Sequence, residues 1–366
     1  MKIGILTLHA SKNYGAVLQC YALLSYIKGH GHEAVVIDKP SYKTDFFHRI
    51  VRYRSYFKEI KPWKNFYDFS DIYLQPKTRN YCSERDLGKN IAKERFDAII
   101  VGSDQVWRRI GNSIRSFYFL DFLPDDTQTK RYSYAASFGL SSWQENNEIT
   151  KKIQNCVNRF DAISVREKTG VEICKNVFSV NAELVLDPTL LHDASFYNQL
   201  LPIESIYSNN FVVSYILGSE HYKQVEEILL WTKHKNCKYK ELFYTKDQIP
   251  ALKEAGIGHK EHISVLEWLC AIRDCKYVIT NSFHATVFSI LFAKNFVVLE
   301  HNSGGKDRID TLLNALGLSN RFIKDTSGID DVLNTPIDYS IVYKKLNDCR
   351  KKSFDFINSI LGESDS

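Results

Sequence analysis

Four stretches of this chain set polar or charged side chains where an apolar, strand-like run gives way to a helical pattern. In ITNSFHATVF, residues 279–288, Ser282 and His284 stand at such a joint. Backbone N–H groups at a helix N-terminus lack partners and the helix dipole is positive there, so the joint is suited to phosphate and carboxylate groups. An imidazole in that turn can bind an anion or move a proton near neutral pH; a half-buried packing histidine with one hydrogen bond would read the same way. One strand later, EHNSGGKDRID carries Ser303, Gly304 and Gly305, whose amides can hold an anion, with Lys306 and Arg308 beside them.

AISVREKTG ends an apolar run on Arg166 and opens a helix at Glu167. A guanidinium there can grip a phosphate or carboxylate through two parallel hydrogen bonds, or it can pair with Glu167, Asp187 or another carboxylate at the sheet edge. IIVGSDQVW ends a strand in Gly102, Ser103, Asp104 and Gln105, with Trp107 just beyond. Asp104 and Gln105 offer acceptors for sugar hydroxyls and Trp107 a flat face for stacking, although Asp104 could equally cap the next turn. HASKNYGAVLQ presents Asn13 as a helix cap, then Tyr14, then Gly15, where a ligand can approach the backbone closely; an ordinary capped turn uses the same residues. Arg166 on one domain with His284, Lys306 and Arg308 on another would form a basic cleft.

These turns require parallel-sheet scaffolds. Lys2 to Thr7 is a continuous apolar strand; Val17, Tyr21, Leu24 and Ile27 then recur at helical spacing, Gly29 and Gly31 stop the helix, and Glu33 to Asp38 gives a second strand. That βαβ unit is continued by strands at 96–102, 131–137, 162–166 and 183–187 with helices at 148–160 and 167–176. After a loop-like stretch around 188–210, a second α/β series starts with FVVSYIL and runs through strands at 237–244, 276–280 and 295–300. The expected organisation is a Rossmann-like domain over 1–195, a second over 205–325, a cleft between them, and a helix at 338–362 packing back across the junction.

A chain of 366 residues with 44% hydrophobic and 25% charged content reads as a two-domain globular protein. Its formal charge of +5 comes without basic blocks, which argues against a nucleic-acid partner. The eight cysteines lack C-x-x-C spacing and the eleven histidines lack an H-E-x-x-H pattern, so neither a metal site nor a metal cofactor is expected. No run of about eighteen apolar residues is present. The chain opens directly on a strand with no leader pattern, which makes a cytoplasmic location the expectation. Residues 42–90 interleave aromatic and basic side chains, fit for covering a sheet or for touching an anionic membrane face. No heptad seam reveals an oligomeric state.

NYGAVLQCYAL, GSDQVW, SYAASFG, SVREKTG, LVLDPTLL and NSFHATVFSILFAKNFVVL occur in an order and spacing that resemble the polysaccharide pyruvyl transferase family, over residue 1 to about 320. The resemblance implies a fold like the two-domain GT-B glycosyltransferases. It implies transfer of an enolpyruvyl unit from phosphoenolpyruvate to two hydroxyls of one sugar, giving a cyclic pyruvate ketal and phosphate. The acceptor class it suggests is a capsule, exopolysaccharide or cell-wall glycan, or a lipid-linked oligosaccharide precursor, handled at the inner membrane face. Carried over by motif, the donor-binding residues are Arg166, His284 and Lys306. The chain departs from the pattern at Ser282, where relatives often have arginine; serine still donates one hydrogen bond to phosphate, and Arg308 is the substitute charge. On this reading His284 is the acid or a phosphate ligand, Asp104 the base, and Asn13, Tyr14, Gly15, Gln105 and Trp107 shape the acceptor site. Two alternatives stay open: a GT-B glycosyltransferase with a nucleotide-sugar donor, though no glutamate-bearing nucleotide motif is identifiable, and a non-catalytic glycan- or anion-binding relative.

Overall fold

A computed structural model describes residues 1–9, 13–39, 66, 68–109, 114–205, 210–218, 222–242, 263–300 and 305–362. The chain forms two compact units, Met1–Leu191 with Asn347–Ser366, and His192–Leu346.

The first unit contains β1 (Lys2–Leu6), β2 (Glu33–Val36), β3 (Ala98–Val101), β4 (Lys130–Ala136), β5 (Ala162–Val165) and β6 (Glu183–Leu184). They form one parallel sheet in the order β2-β1-β3-β4-β5-β6. Strands such as AIIV in β3 are buried at every position, as a sheet covered on both faces demands. The chain leaves β1 towards β2 and later returns on the other side as β3. The carboxyl ends of β1 and β3 are therefore a topological switch point, where parallel sheets bind ligands. The helix Tyr14–Gly29 starts on Asn13, whose side chain accepts from the Ala16 N–H, and it is buried over most of its surface.

Gly102 is a position only glycine fills. Its φ is +115°, and a Cβ there would lie 2.4 Å from the Tyr134 carbonyl oxygen. The crowding comes from an irregularity in β4, whose register against β5 shifts between Ser133 and Ala136, with Ala135 at φ 51°.

The second unit contains β7 (Phe211–Tyr215), β8 (Lys238–Glu241), β9 (Tyr277–Thr280), β10 (Asn295–Leu299) and β11 (Phe322–Ile323), parallel in the order β11-β10-β9-β7-β8. Its switch point lies between β7 and β9. The helix Phe283–Leu291 is buried at all nine positions, six of them apolar. The helix Val265–Asp274 begins with a capping box between Ser264 and Glu267.

The last helix, Tyr339–Leu361, has contacts in both units. In the second, Tyr343 donates to the carbonyls of Ile290 and Leu291 at 3.1 Å, and Tyr339 donates to that of Lys294. In the first, Arg350 donates to the Leu190 carbonyl at 2.7 Å and Ser353 accepts from the Leu186 N–H at 2.9 Å. Among the described residues no helix is long and apolar enough to cross a membrane.

Candidate active site

At the switch point of the first unit, a chain of hydrogen bonds ties the ends of β1 and β3 together. Thr7 Oγ1 donates to the Ser103 carbonyl at 3.0 Å, Gln19 Nε2 donates to Thr7 Oγ1 at 2.8 Å, and the Ser103 N–H donates to Gln19 Oε1 at 2.9 Å. Gln19 reaches this turn from one helical turn inside the first helix, so the helix start and the β3 turn are fixed to one another. Asp104 follows at φ +68°, and its carbonyl accepts from the N–H groups of Val106 and Ser137.

Arg166, the residue after β5, enters the same cluster. Its Nη2 donates to Asp104 Oδ1 at 2.8 Å and its Nη1 to Asp187 Oδ2 at 2.6 Å. Asp187 also accepts from the N–H and hydroxyl of Thr189 and sits within 2.9 Å of the Ser103 hydroxyl. Burial alone would lower the pKa of Arg166, but the charges of Asp104, Asp187 and Glu167 outweigh it and raise it above the usual guanidinium value. Side-chain exposure is 1% for Arg166, 0% for Asp187 and 8% for Asp104, so Asp104 is the member of these pairs that reaches the surface.

The geometry bears on two expectations. Arg166 is a buried cation shared by two carboxylates, the ion-pair alternative that its place at the sheet edge also allowed. Trp107 is 1% exposed; its ring stacks on Phe119 at 5.2 Å, packs against Phe138, and donates Nε1–H to the Tyr118 carbonyl. It is a core residue with no face left for a sugar. Tyr14 is likewise buried, 4.7 Å from the Phe66 ring, Gly15 is buried within the helix, and Asn13 serves as the cap. Gln105 accepts from Arg108 at 2.6 Å.

Asp187 was legible as a possible ion-pair partner of Arg166, and the structure shows that pair. Gln19, Thr7 and the pair His9 Nε2 to Asp38 Oδ1, 3.0 Å apart, carry no sequence signal of their own.

In the second unit, the switch point holds the other candidates. Asn281 clamps the end of β7, accepting from the Leu217 N–H at 2.7 Å and donating to its carbonyl at 2.9 Å. Thr280 Oγ1 donates to the Tyr215 carbonyl and accepts from the Ser282 N–H, while Thr286 donates back to the Ser282 carbonyl. The joint is thus rigid, yet Ser282 makes no side-chain cap on the helix that follows. His284, 6% exposed, lies edge-on to Phe283 at 5.2 Å.

The helix Lys306–Leu316 follows β10, the neighbour of β9. Its N-cap is Gly305, at φ +100°, again without a side-chain bond. A Cβ on Gly305 would lie 2.3 Å from Arg308 Nη2, so glycine makes room for that guanidinium, which lies 5.9 Å from the Phe283 ring centre. This contact sets the first turns of the two helices side by side. Lys306 is half exposed and 3.3 Å from Glu300. Ser303 and Gly304 lie outside the described residues, as do 42–65 and 67 of the aromatic, basic segment.

Among the described residues no group of three or more His, Cys, Asp or Glu side chains is placed to hold a metal ion. Both units therefore present polar residues at the carboxyl ends of parallel strands, an acidic cluster in one and a cationic pair of helix starts in the other.

Solved structures over the whole chain give the same architecture. The UDP-GlcNAc 2-epimerase of Methanocaldococcus jannaschii aligns with a TM-score of 0.54 at 12% identity, covering 100% of each chain. That of Neisseria meningitidis aligns at 0.55 and 10%, covering 99% of this chain and all of the other. The glycosyltransferase of kitacinnamycin aligns at 0.52 and 9%, covering 99% and 98%. At such identities the likeness establishes the fold, two Rossmann-like domains of the GT-B type. A comparison with curated proteins finds no match. The sequence pattern of the polysaccharide pyruvyl transferases matches residues 13–303, and the chain belongs to that family.

Proposed function

We propose that the protein transfers an enolpyruvyl unit from phosphoenolpyruvate to two hydroxyls of one sugar in a surface polysaccharide or its lipid-linked precursor, releasing phosphate. Besides family membership, the observation that supports this reading is the pair of adjacent helix starts in the second unit. Neither has a side-chain cap from its N-cap residue, and Ser282, His284, Lys306 and Arg308 stand on them. Two helix dipoles and two cations suit a donor with a phosphate and a carboxylate.

The chemistry follows from the donor. Protonation of the methylene carbon, with His284 as the acid, leaves the adjacent carbon oxocarbenium-like, and a first sugar hydroxyl adds to it as Asp104 takes its proton. The second hydroxyl then displaces phosphate from the same carbon, closing the ketal; its proton leaves with phosphate. Arg166 enters this scheme as the residue that holds Asp104, while Lys306, Arg308 and Ser282 hold the donor. Acceptor contacts fall to Asn13 and Gln105 at the first switch point.

The test is a binding isotherm for phosphoenolpyruvate against a panel of UDP- and GDP-sugars, on the full chain and on Lys306→Ala. Selective phosphoenolpyruvate binding, weakened at least tenfold by the substitution, is expected; about that much follows from losing one charge-assisted contact. Preference for a nucleotide sugar would overturn the reading.

A further inference from the structure

Asp104 stands in a cluster of charged groups that reaches as far as Arg115, which bonds the Tyr118 hydroxyl. Facing that carboxylate or its partner are Arg166 from the end of β5, Asp187 from beyond β6, Glu167 from the helix after β5, and Tyr118, which feels the Asp104 charge. Three carboxylates thus act on one guanidinium. A simple Arg–Asp pair would make Asp104 a very weak base, because the cation stabilises its ionised form. Here Arg166 is divided between Nη2 on Asp104 and Nη1 on Asp187, and the second bond, at 2.6 Å, is the shorter.

Asp187 is in turn held in place. Thr189 donates to its Oδ1 through both N–H (3.1 Å) and hydroxyl (2.7 Å), and its side chain is wholly buried. It cannot touch a substrate. What it can do is take a fixed share of the Arg166 charge and add a negative charge close to Asp104, in surroundings where such terms are weakly screened.

We infer that Asp187 is a positioning residue that acts through Arg166 to raise the proton affinity of Asp104, with Glu167 acting in the same direction. The inference rests on Asp104 being the base for the sugar hydroxyl. It explains how a carboxylate bonded to an arginine can still take a proton.

The experiment is a carbon-13 NMR titration of the full chain labelled at aspartate Cγ, with the Asp104 resonance identified by its loss in Asp104→Asn. In Asp187→Asn, which keeps the side-chain shape, the Asp104 midpoint should fall by about half a pH unit or more, the scale of one nearby like charge. Glu167→Gln, which keeps the acceptor used by the Phe138 N–H, should move it the same way and serves if Asp187→Asn does not fold. A midpoint that stays or rises would overturn the inference. Phosphate release from phosphoenolpyruvate with p-nitrophenyl glycosides, measured on Asp104→Asn, tests the base assignment separately, since full turnover there removes the base and leaves the titration to decide the electrostatics.

Discussion

Replacing Arg166 by methionine should damage the fold of the first unit before it damages any binding. The substitution removes Nη1 from 2.6 Å of Asp187 Oδ2 and Nη2 from 2.8 Å of Asp104 Oδ1. It leaves Asp187, 1% exposed, to the neutral donors Thr189 and Ser103. Breaking a buried ion pair by removing one partner costs about 3–5 kcal/mol, because the remaining charge is stranded. In a unit of this size that loss corresponds to a fall in Tm of about 6–20 °C. Lys152→Met is the control: Lys152 and Asp121 are 3.4 Å apart but 60% and 22% exposed, and such a surface pair is worth about 0–1 kcal/mol. Urea unfolding followed by circular dichroism reads both variants. If Arg166→Met loses no more than the control, the cluster is not held by charge and the reasoning fails. Phosphoenolpyruvate binding should survive in the folded fraction if the residues proposed to hold the donor, all on the second unit, are the ones that hold it.

His284→Ala should keep its fold and lose at least about a hundredfold in turnover, the lower end of general acid catalysis; a loss under tenfold in a phosphate-release assay would exclude it as the acid. Gly102→Ala places a Cβ 2.4 Å from the Tyr134 carbonyl at φ +115° and should destabilise by about 2–3 kcal/mol, read as a lower denaturant midpoint. For Asp38, burial alone would raise the pKa, but the hydrogen bond and charge of His9, with help from Asn80 and Lys77, lower it overall. Its contribution is therefore fully present above the unfolded value of about 3.9 and is lost as pH falls through the lower folded value. The stability gap between wild type and Asp38→Asn should shrink as the pH falls below about 4; a gap that widens there would contradict the pairing.

Both sheets were readable because their strands are buried on two faces. AIIV and FVVSY leave few alternatives to a parallel strand, and Gly29 and Gly31 mark the end of the first helix. The joints at Ser282–Phe283 and Val165–Arg166 were legible for the same reason, since they are changes of hydrophobic period. The fate of the side chains at those joints was not. Arg166 finds its partners 62 and 21 residues away, and His9 finds Asp38 29 residues away. Trp107 looked like a stacking surface beside Asp104, but Phe119 and Phe138 close over it.

What the sequence alone determined was the order of strands and helices, the family, and which residues stand at strand ends, because period, glycine placement and motif order are local properties of the chain. Only the tertiary structure decided which of those residues face one another. Pairing across a parallel sheet depends on strand order, β2-β1-β3-β4-β5-β6 in the first unit, and no local pattern encodes the neighbour a strand will take. That order brings the ends of β3 and β5 and the turn after β6 to one edge, and so makes Arg166, which reads either as an anion grip or as an ion-pair partner, the centre of an acidic cluster.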